Sequence, residues 1–183
     1  MKIVFVSDTH GDEDALKNIV EFSKGYDAII HTGDVLPYGV AHSCFISDYI
    51  STLDNIYFVR GNTDYFDGMR LMGKDVSEYE RIFSFDNLRI FATHGFIKSM
   101  TSYEKEAREN KCDILVYGHT HVKKLEKKDN LIILNPGSPS RPRDYAPSFA
   151  ILEDKVITLY NTTTRSEERR VGKECRSRWS PYH

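Results

Sequence analysis

Cysteine is scarce in this chain. There are three in 183 residues, none in a CxxC spacing, which excludes a disulfide framework and a thiolate zinc knot. Cys44 and Cys112 stand alone and are expected as buried free thiols. Long hydrophobic runs are missing as well. No apolar stretch approaches the ~18 residues of a membrane span, and Lys2–Val6 is too short for a signal-peptide core. A soluble cytoplasmic protein without a membrane partner is therefore expected. Tryptophan occurs once, and positive charge is not in excess: 25 Lys and Arg face 27 Asp and Glu, a net charge of −2. Such a balance gives no general attraction to nucleic acid or anionic lipid, so any affinity for phosphate has to be local.

The segment Arg165–His183 resembles a translated sequencing adapter and is read as a non-native, artefactual tail. It has scattered apolar residues and no periodicity, and so nothing to bury. Setting aside its six basic and three acidic residues leaves 19 against 24, and the body then carries −5. Trp179 and Cys175 go with it. Residues 1–164 are expected to be a single domain, long enough to bury roughly 70% of the unfolded chain's surface around one core.

What the body does have is a series of short apolar runs: Ile3–Val6, Ala28–Ile30, Ile56–Val59, Leu88–Ala92, Ile114–Tyr117, Leu131–Leu134, Phe149–Leu152 and Val156–Tyr160. Most lack polar alternation, which predicts strands covered on both faces. An amphipathic helix is expected between the first two, with Asp12 as N-cap, Leu16, Ile19 and Val20 on one face and Gly25 as its stop. Helical spacing also fits Ser43–Leu53 and, more weakly, Thr101–Asn110. Tyr65–Glu80 reads as an irregular excursion, and Lys123, Lys124, Lys127 and Lys128 as a solvated hairpin. Helices that alternate with strands early, and hairpins that cluster late, predict an α/β sandwich of two stacked sheets flanked by helices.

The informative residues stand at the ends of these runs: Asp8-Thr9-His10, Gly33-Asp34, Gly61-Asn62-Thr63-Asp64, His94-Gly95 and Gly118-His119-Thr120-His121. Each motif alone is ordinary turn chemistry. Five in series, carrying only Asp, Asn and His, point to a metal site assembled from distant parts of a sheet, and oxygen and imidazole donors without thiolate suit hydrolysis. In an extended chain residues i and i+2 point the same way, so Asp8 with His10, and His119 with His121, are expected to act as chelating pairs.

The order Asp-x-His, Gly-Asp, Gly-Asn-x-Asp, His-Gly, Gly-His-x-His resembles the calcineurin-like metallophosphoesterase superfamily. Continued through Asn135-Pro136-Gly137-Ser138 and Arg143, it is most similar to the small YfcE-like phosphodiesterase branch, without an inserted cap domain. The resemblance implies a four-layer αββα sandwich of two mixed sheets. It implies one metal on Asp8, His10, Asp34 and His121 and a second on Asp34, Asn62, His94 and His119, with Asp34, Asn62 and His94 nearest the chemistry. It further implies two divalent ions, Mn²⁺ first and Fe, Ni or Zn as alternatives, whose bridging hydroxide attacks a small phosphodiester.

Thr63 departs from the histidine that many superfamily members carry there. Threonine cannot titrate near neutrality, and general-acid help is typically worth ~10²–10⁴-fold, so poor leaving groups are expected to react slowly. Asp64 is expected either to orient a ligand histidine or to cap a turn. Arg60 is expected to touch phosphate or to form an ion pair at a strand end, and Arg141 and Arg143 to hold an anionic substrate or to be solvated. His31 is expected as a hydrogen-bonded core histidine and His42 as an exposed loop residue. Two other readings stand beside the enzyme. One is a catalytically weak, protein-binding scaffold like the retromer subunit of this fold. The other is a nuclease, disfavoured by the acidic body and by the want of a basic stripe with interleaved aromatics. A homo-oligomer stays open.

Overall fold

The structure, a computed structural model, describes residues 1–39, 45–70 and 72–172, with the backbone alone for Phe66 and Asp67. His42, Ser43 and Cys44 lie outside the described residues, as does 173–183. In chain order the elements are β1 (Lys2–Val6), α1 (Glu13–Phe22), β2 (Ala28–His31), α2 (Phe45–Ser51), β3 (Ile56–Phe58), α3 (Phe66–Arg70), β4 (Glu80–Phe85) and β5 (Leu88–Thr93). They continue with α4 (Met100–Glu109), β6 (Ile114–Val116), β7 (Lys124–Lys128), β8 (Leu131–Asn135), β9 (Ser148–Glu153), β10 (Val156–Asn161) and β11 (Glu167–Gly172).

Two mixed sheets result, ordered β11-β10-β9-β1-β2-β3 and β4-β5-β6-β8-β7. Alternate residues of the central strands serve different layers, as the two-residue period of a strand requires. In β1, Ile3 and Phe5 join the core between the sheets, whereas Val4 and Val6 face the layer with Leu16 and Ile19 of α1 and Ile46 and Ile50 of α2. In β8, Ile132 and Leu134 point into the same central core, and Leu131 and Ile133 pack beneath Tyr103 and Ala107 of α4. Burial on both faces accounts for the unbroken apolar runs. The arrangement is the expected α/β fold of two mixed sheets flanked by helices.

Helix α1 forms as expected: the Asp12 side chain accepts from the Ala15 N–H, and Leu16 and Ile19 are buried. Helix α4 starts at Met100, where the Ser99 side chain accepts from the Ser102 N–H. Cys112 is a buried free thiol. The apolar runs read from the sequence did not include β4, β7 or β11. All three are edge strands, and an edge strand carries polar residues that a central one cannot. β7 buries only Leu125, and its lysines are the expected solvated hairpin: Lys124 pairs with Glu126 at 3.0 Å and Lys128 with Glu104 at 3.1 Å. The excursion after Tyr65 contains one short helix, α3. No described helix is long and apolar enough to cross a membrane.

β11 lies within the segment read as an artefactual tail and pairs antiparallel with β10 from Val156↔Gly172 to Tyr160↔Glu167. Glu167, Glu168, Arg169 and Arg170 are exposed, and Val171 alone reaches the central core. Its contribution is mainly ladder hydrogen bonds at the rim. Ending the chain after Thr164 is therefore expected to leave the far-ultraviolet dichroism unchanged and to lower the melting temperature by no more than about 4 °C, the equivalent of roughly 1 kcal/mol. A larger drop in a thermal melt would show that β11 is integral to the sheet.

Candidate metal centre

Strands β1, β2 and β3 run parallel to one another, as do β5, β6 and β8. All six therefore send their C-terminal loops toward one edge, the usual place for a site in a sheet of parallel strands. Asp8 and His10 follow β1, Asp34 follows β2, Asn62 follows β3, His94 follows β5, and His119 and His121 follow β6. The two sheets are tied together at this edge. His94 Nδ1 lies 2.7 Å from the Thr32 carbonyl, and Asp8 Oδ2 accepts from the His119 N–H at 3.1 Å.

The chelating pairs converge for a reason other than extended alternation. Asp8, His10, Asp34, His119 and His121 all have positive φ, between 44° and 67°. In this left-handed region the chain turns back on itself, and Asp and His enter it more readily than most residues. The His119–His121 pair therefore splits, whereas Asp8 and His10 stay together. His10 and His121 join Asp8 and Asp34, whereas His119 faces Asn62. The glycines of the motifs provide the close approach: a Cβ at Gly61 would overlap the Asp34 carboxylate, and one at Gly118 would overlap Ser7 Oγ and come within 2.8 Å of Asp8 Oδ2.

Asp8, His10, Asp34 and His121 are buried and offer ligand atoms within 4.8 Å of one another. His10 Nε2 and His121 Nε2 are 3.2 Å apart, and His121 Nε2 is 3.2 Å from Asp8 Oδ1. Beside them, Asn62 Oδ1 lies 3.1 Å from His94 Nε2 and 3.0 Å from His119 Nδ1, while His94 Nε2 is 3.3 Å from Asp34 Oδ2. Asp34 thus adjoins both groups. A carbonyl oxygen only accepts, so His94 Nδ1 and His121 Nδ1, the latter 2.7 Å from the Arg141 carbonyl, both carry hydrogen. In the neutral rings Nε2 is then a bare lone pair aimed inward.

Lone pairs of nitrogen and carboxylate oxygen facing one another repel unless a proton or a cation lies between them. Among the described residues the only basic groups within 4 Å of the two carboxylates are histidines. Asp8 Oδ1 and His10 Nδ1 are buried without a hydrogen-bond partner. The donor set therefore fits divalent cations. Burial holds His10 and His119 below the ordinary imidazole pKa and so favours the neutral ligand form. At His94 burial acts in the same sense, but the Asp34 bond and the Asp8 and Asp34 charges outweigh it and raise the pKa. His121 is raised chiefly by Asp8. Asp34, despite burial, is held well below the usual carboxylate range by His94 and the Thr63 N–H.

Asp64 bonds no histidine, and it does more than cap the turn that begins at Gly61. Its carboxylate accepts from the backbone N–H groups of Asp34, Val35, Leu36 and Gly61 at 2.8–3.1 Å and clamps the β2 loop to the β3 loop. Burial pushes its pKa up to about 6 against these donors. Thr63 donates its N–H to Asp34 Oδ1 at 2.9 Å, and its buried hydroxyl has no partner. It does not line the cavity of about 410 Å³ above the centre, which is formed by Asp34, Tyr38, Asn62, His119, Thr120, His121 and Arg143. Arg143 is therefore brought to the site. Arg60 packs instead over the Tyr79 ring, 4.2 Å from its centroid. His31 is the expected core histidine: Nδ1 accepts from the Gly33 N–H, Nε2 bonds Thr9 Oγ1, and burial lowers its pKa to about 3.

Sequence reasoning missed Tyr38 and Thr120, since neither belongs to a ligand motif. The loop after β8, read only as near the site, supports it directly. Ser138 and Ser140 both donate their hydroxyls to the Asp8 carbonyl, at 2.7 and 3.0 Å. Asn135 Nδ2 bonds the Gly118 carbonyl and Thr120 Oγ1.

A two-sheet sandwich that gathers Asp, Asn and His on the loops of its parallel strands is the architecture of a metallophosphoesterase. The profile of the calcineurin-like phosphoesterase superfamily domain matches residues 1–155, and the chain belongs to that superfamily. Phosphodiesterase YfcE of Escherichia coli K12 is 30% identical over 171 residues, spanning 87% of this chain and 91% of the relative. Phosphodiesterase MJ0936 of Methanocaldococcus jannaschii is 30% identical over 165 residues, spanning 84% and 93%. In three dimensions an E. coli YfcE structure superposes with a TM-score of 0.78 at 24% identity, covering 95% of this chain and all of that one. Vps29 of Entamoeba histolytica in complex with Zn²⁺ shares the fold with a TM-score of 0.71 at 20% identity, covering 95% and 100%. The resemblance read from the motifs is thus borne out, and with it the enzyme class, a phosphoric ester hydrolase.

Asp64→Asn keeps the side-chain shape but turns an NH₂ group toward backbone donors. The substitution is expected to destabilise the metal-free protein by about 3 kcal/mol, the cost of one or two buried N–H groups left without an acceptor. Urea unfolding checks it. An unchanged midpoint would show that the clamp between the two loops is dispensable.

Proposed function

We propose that this protein is a metal-dependent phosphodiesterase acting on small phosphodiesters through a dinuclear centre. One group is Asp8, His10, Asp34 and His121, the other Asp34, Asn62, His94 and His119. The observation that carries the reading is the convergence of inward lone pairs from seven residues on five loops, two of the imidazoles being fixed as tautomers by backbone carbonyls. When bound, two divalent cations supply Lewis acidity for the phosphoryl oxygens and an acidified water able to attack phosphorus. Mn²⁺ is the first choice, with Fe, Ni or Zn as alternatives, since donor type alone does not select among them.

The protein's own part is to hold and aim. Asp34 sits between the groups, fixed by the Thr63 N–H. Asn62 contributes a neutral oxygen against two imidazoles, which limits the negative charge an incoming phosphate meets. Arg143 borders the cavity and offers a fixed positive charge to the phosphoryl oxygens. The intact set of donors favours chemistry over the scaffold reading.

Asp34→Asn removes the shared charge. It is expected to lose one or both equivalents of metal by plasma emission and at least ~10²-fold in Mn²⁺-dependent diester hydrolysis. Lys123→Ala is the control, because its amine faces Asp144 and Glu168 at 3.1 and 3.2 Å. Full metal content and activity in the Asp34 variant would sink the dinuclear reading.

Among the described residues, the only imidazoles lining the cavity are those of His119 and His121, both assigned to metal. Thr63, buried away from the cavity, supplies no acid. The logarithm of the rate is therefore expected to fall steeply with leaving-group pKa across a series of aryl and alkyl diesters. A flat series would reveal a proton donor elsewhere.

A further inference from the structure

Two partly exposed aromatic rings lie against the imidazoles of the centre, one beside each group of ligands. Tyr38 is 50% exposed and borders the cavity. Its ring is stacked on His10 with centroids 4.5 Å apart and planes 12° from parallel, and the Arg141 guanidinium lies 5.0 Å from its centroid. Phe96 is 36% exposed and leans on both imidazoles of the other group, 5.7 Å from His94 and 6.2 Å from His119. Tyr79 packs against Phe96 in an edge arrangement at 5.8 Å and is itself covered by Arg60.

Both rings are held before any ligand arrives. Buried imidazoles set their orientation, so little conformational freedom is lost when a second flat group is laid against them. The face of an aromatic ring beside a site built for an anion has no partner in the phosphate itself. Its π-face suits a planar substituent, which gains by stacking.

We propose that Tyr38 and Phe96 are the specificity-determining walls of this site, each receiving a planar ester group of a phosphodiester. The inference rests on the phosphodiesterase reading above. The planar group can be a simple aryl ring or a nucleobase, since both present the same face.

The test keeps 4-nitrophenolate as the leaving group and varies only the ester that stays behind: methyl, phenyl or 5′-thymidyl. With the Mn²⁺-loaded full chain, Tyr38→Ala and Phe96→Ala are each expected to lower kcat/KM about tenfold for the phenyl or thymidyl ester, the usual loss for one stacking partner. The methyl ester is expected to lose about as much at the wall that receives the 4-nitrophenyl group, and less than about twofold at the other wall. A loss confined to the thymidyl ester identifies a nucleobase, and a loss shared with the phenyl ester an aryl group. Tyr38→Phe and Phe96→Tyr should retain the wild-type pattern, and metal content should be unchanged throughout. Calorimetric binding of phenylphosphonate against methylphosphonate, whose C–P bonds do not hydrolyse, supplies a readout independent of turnover. Equal losses for all three esters in both variants, or equal affinity for the two phosphonates, would overturn the assignment while leaving the phosphodiesterase reading intact. Tighter binding of phenylphosphonate with no hydrolysis of any diester would do the reverse.

Discussion

Everything at the active edge depends on backbone that an L-residue adopts reluctantly. Five of the seven donor residues sit in the left-handed region, a conformation costing on the order of 1–3 kcal/mol at a non-glycine position unless its surroundings impose it. Here they do. The Asp64 carboxylate gathers N–H groups from the loops after β2 and β3, Ser138 and Ser140 hold the Asp8 carbonyl, and Asn135 braces the loop after β6. The strain and its supports are one system, because the turn that aims each side chain is the turn these hydrogen bonds enforce.

That system also explains where the glycines fall. Gly61 and Gly118 lie where two loops touch, one against Asp34 and the other against Ser7 and Asp8. Close contact brings carboxylate and imidazole lone pairs within about 3.3 Å of one another in a buried recess. Charges of like polarity in such a recess are costly to desolvate and to crowd. The fold therefore stores, at this edge, a demand for cations that, among the described residues, no lysine or arginine within 4 Å of the two carboxylates meets.

The central strands were legible because both of their faces are covered, and the chain declares this as runs of Val, Ile, Leu and Phe. β4, β7 and β11 were not, since an edge strand buries little and Lys124-Leu125-Glu126-Lys127-Lys128 has no apolar alternation to read. The donors were legible by type and position, each following a strand. The way they converge was legible only through the family resemblance, which divides His119 and His121 between the groups: alternation in an extended chain would have kept them together, whereas the left-handed turns send them apart.

The sequence by itself determined the alternation of strand and helix and the family, and singled out seven candidate donors, because these depend on residue type and local order along the chain. Only the tertiary structure decided that Asp64 is a clamp rather than a partner of histidine, that Arg60 belongs to Tyr79 and Arg143 to the cavity, and that Tyr38 and Phe96 stand over the imidazoles. Those outcomes depend on distances between loops far apart in sequence, set by the packing of two sheets through a shared core, and no local pattern in the chain encodes them.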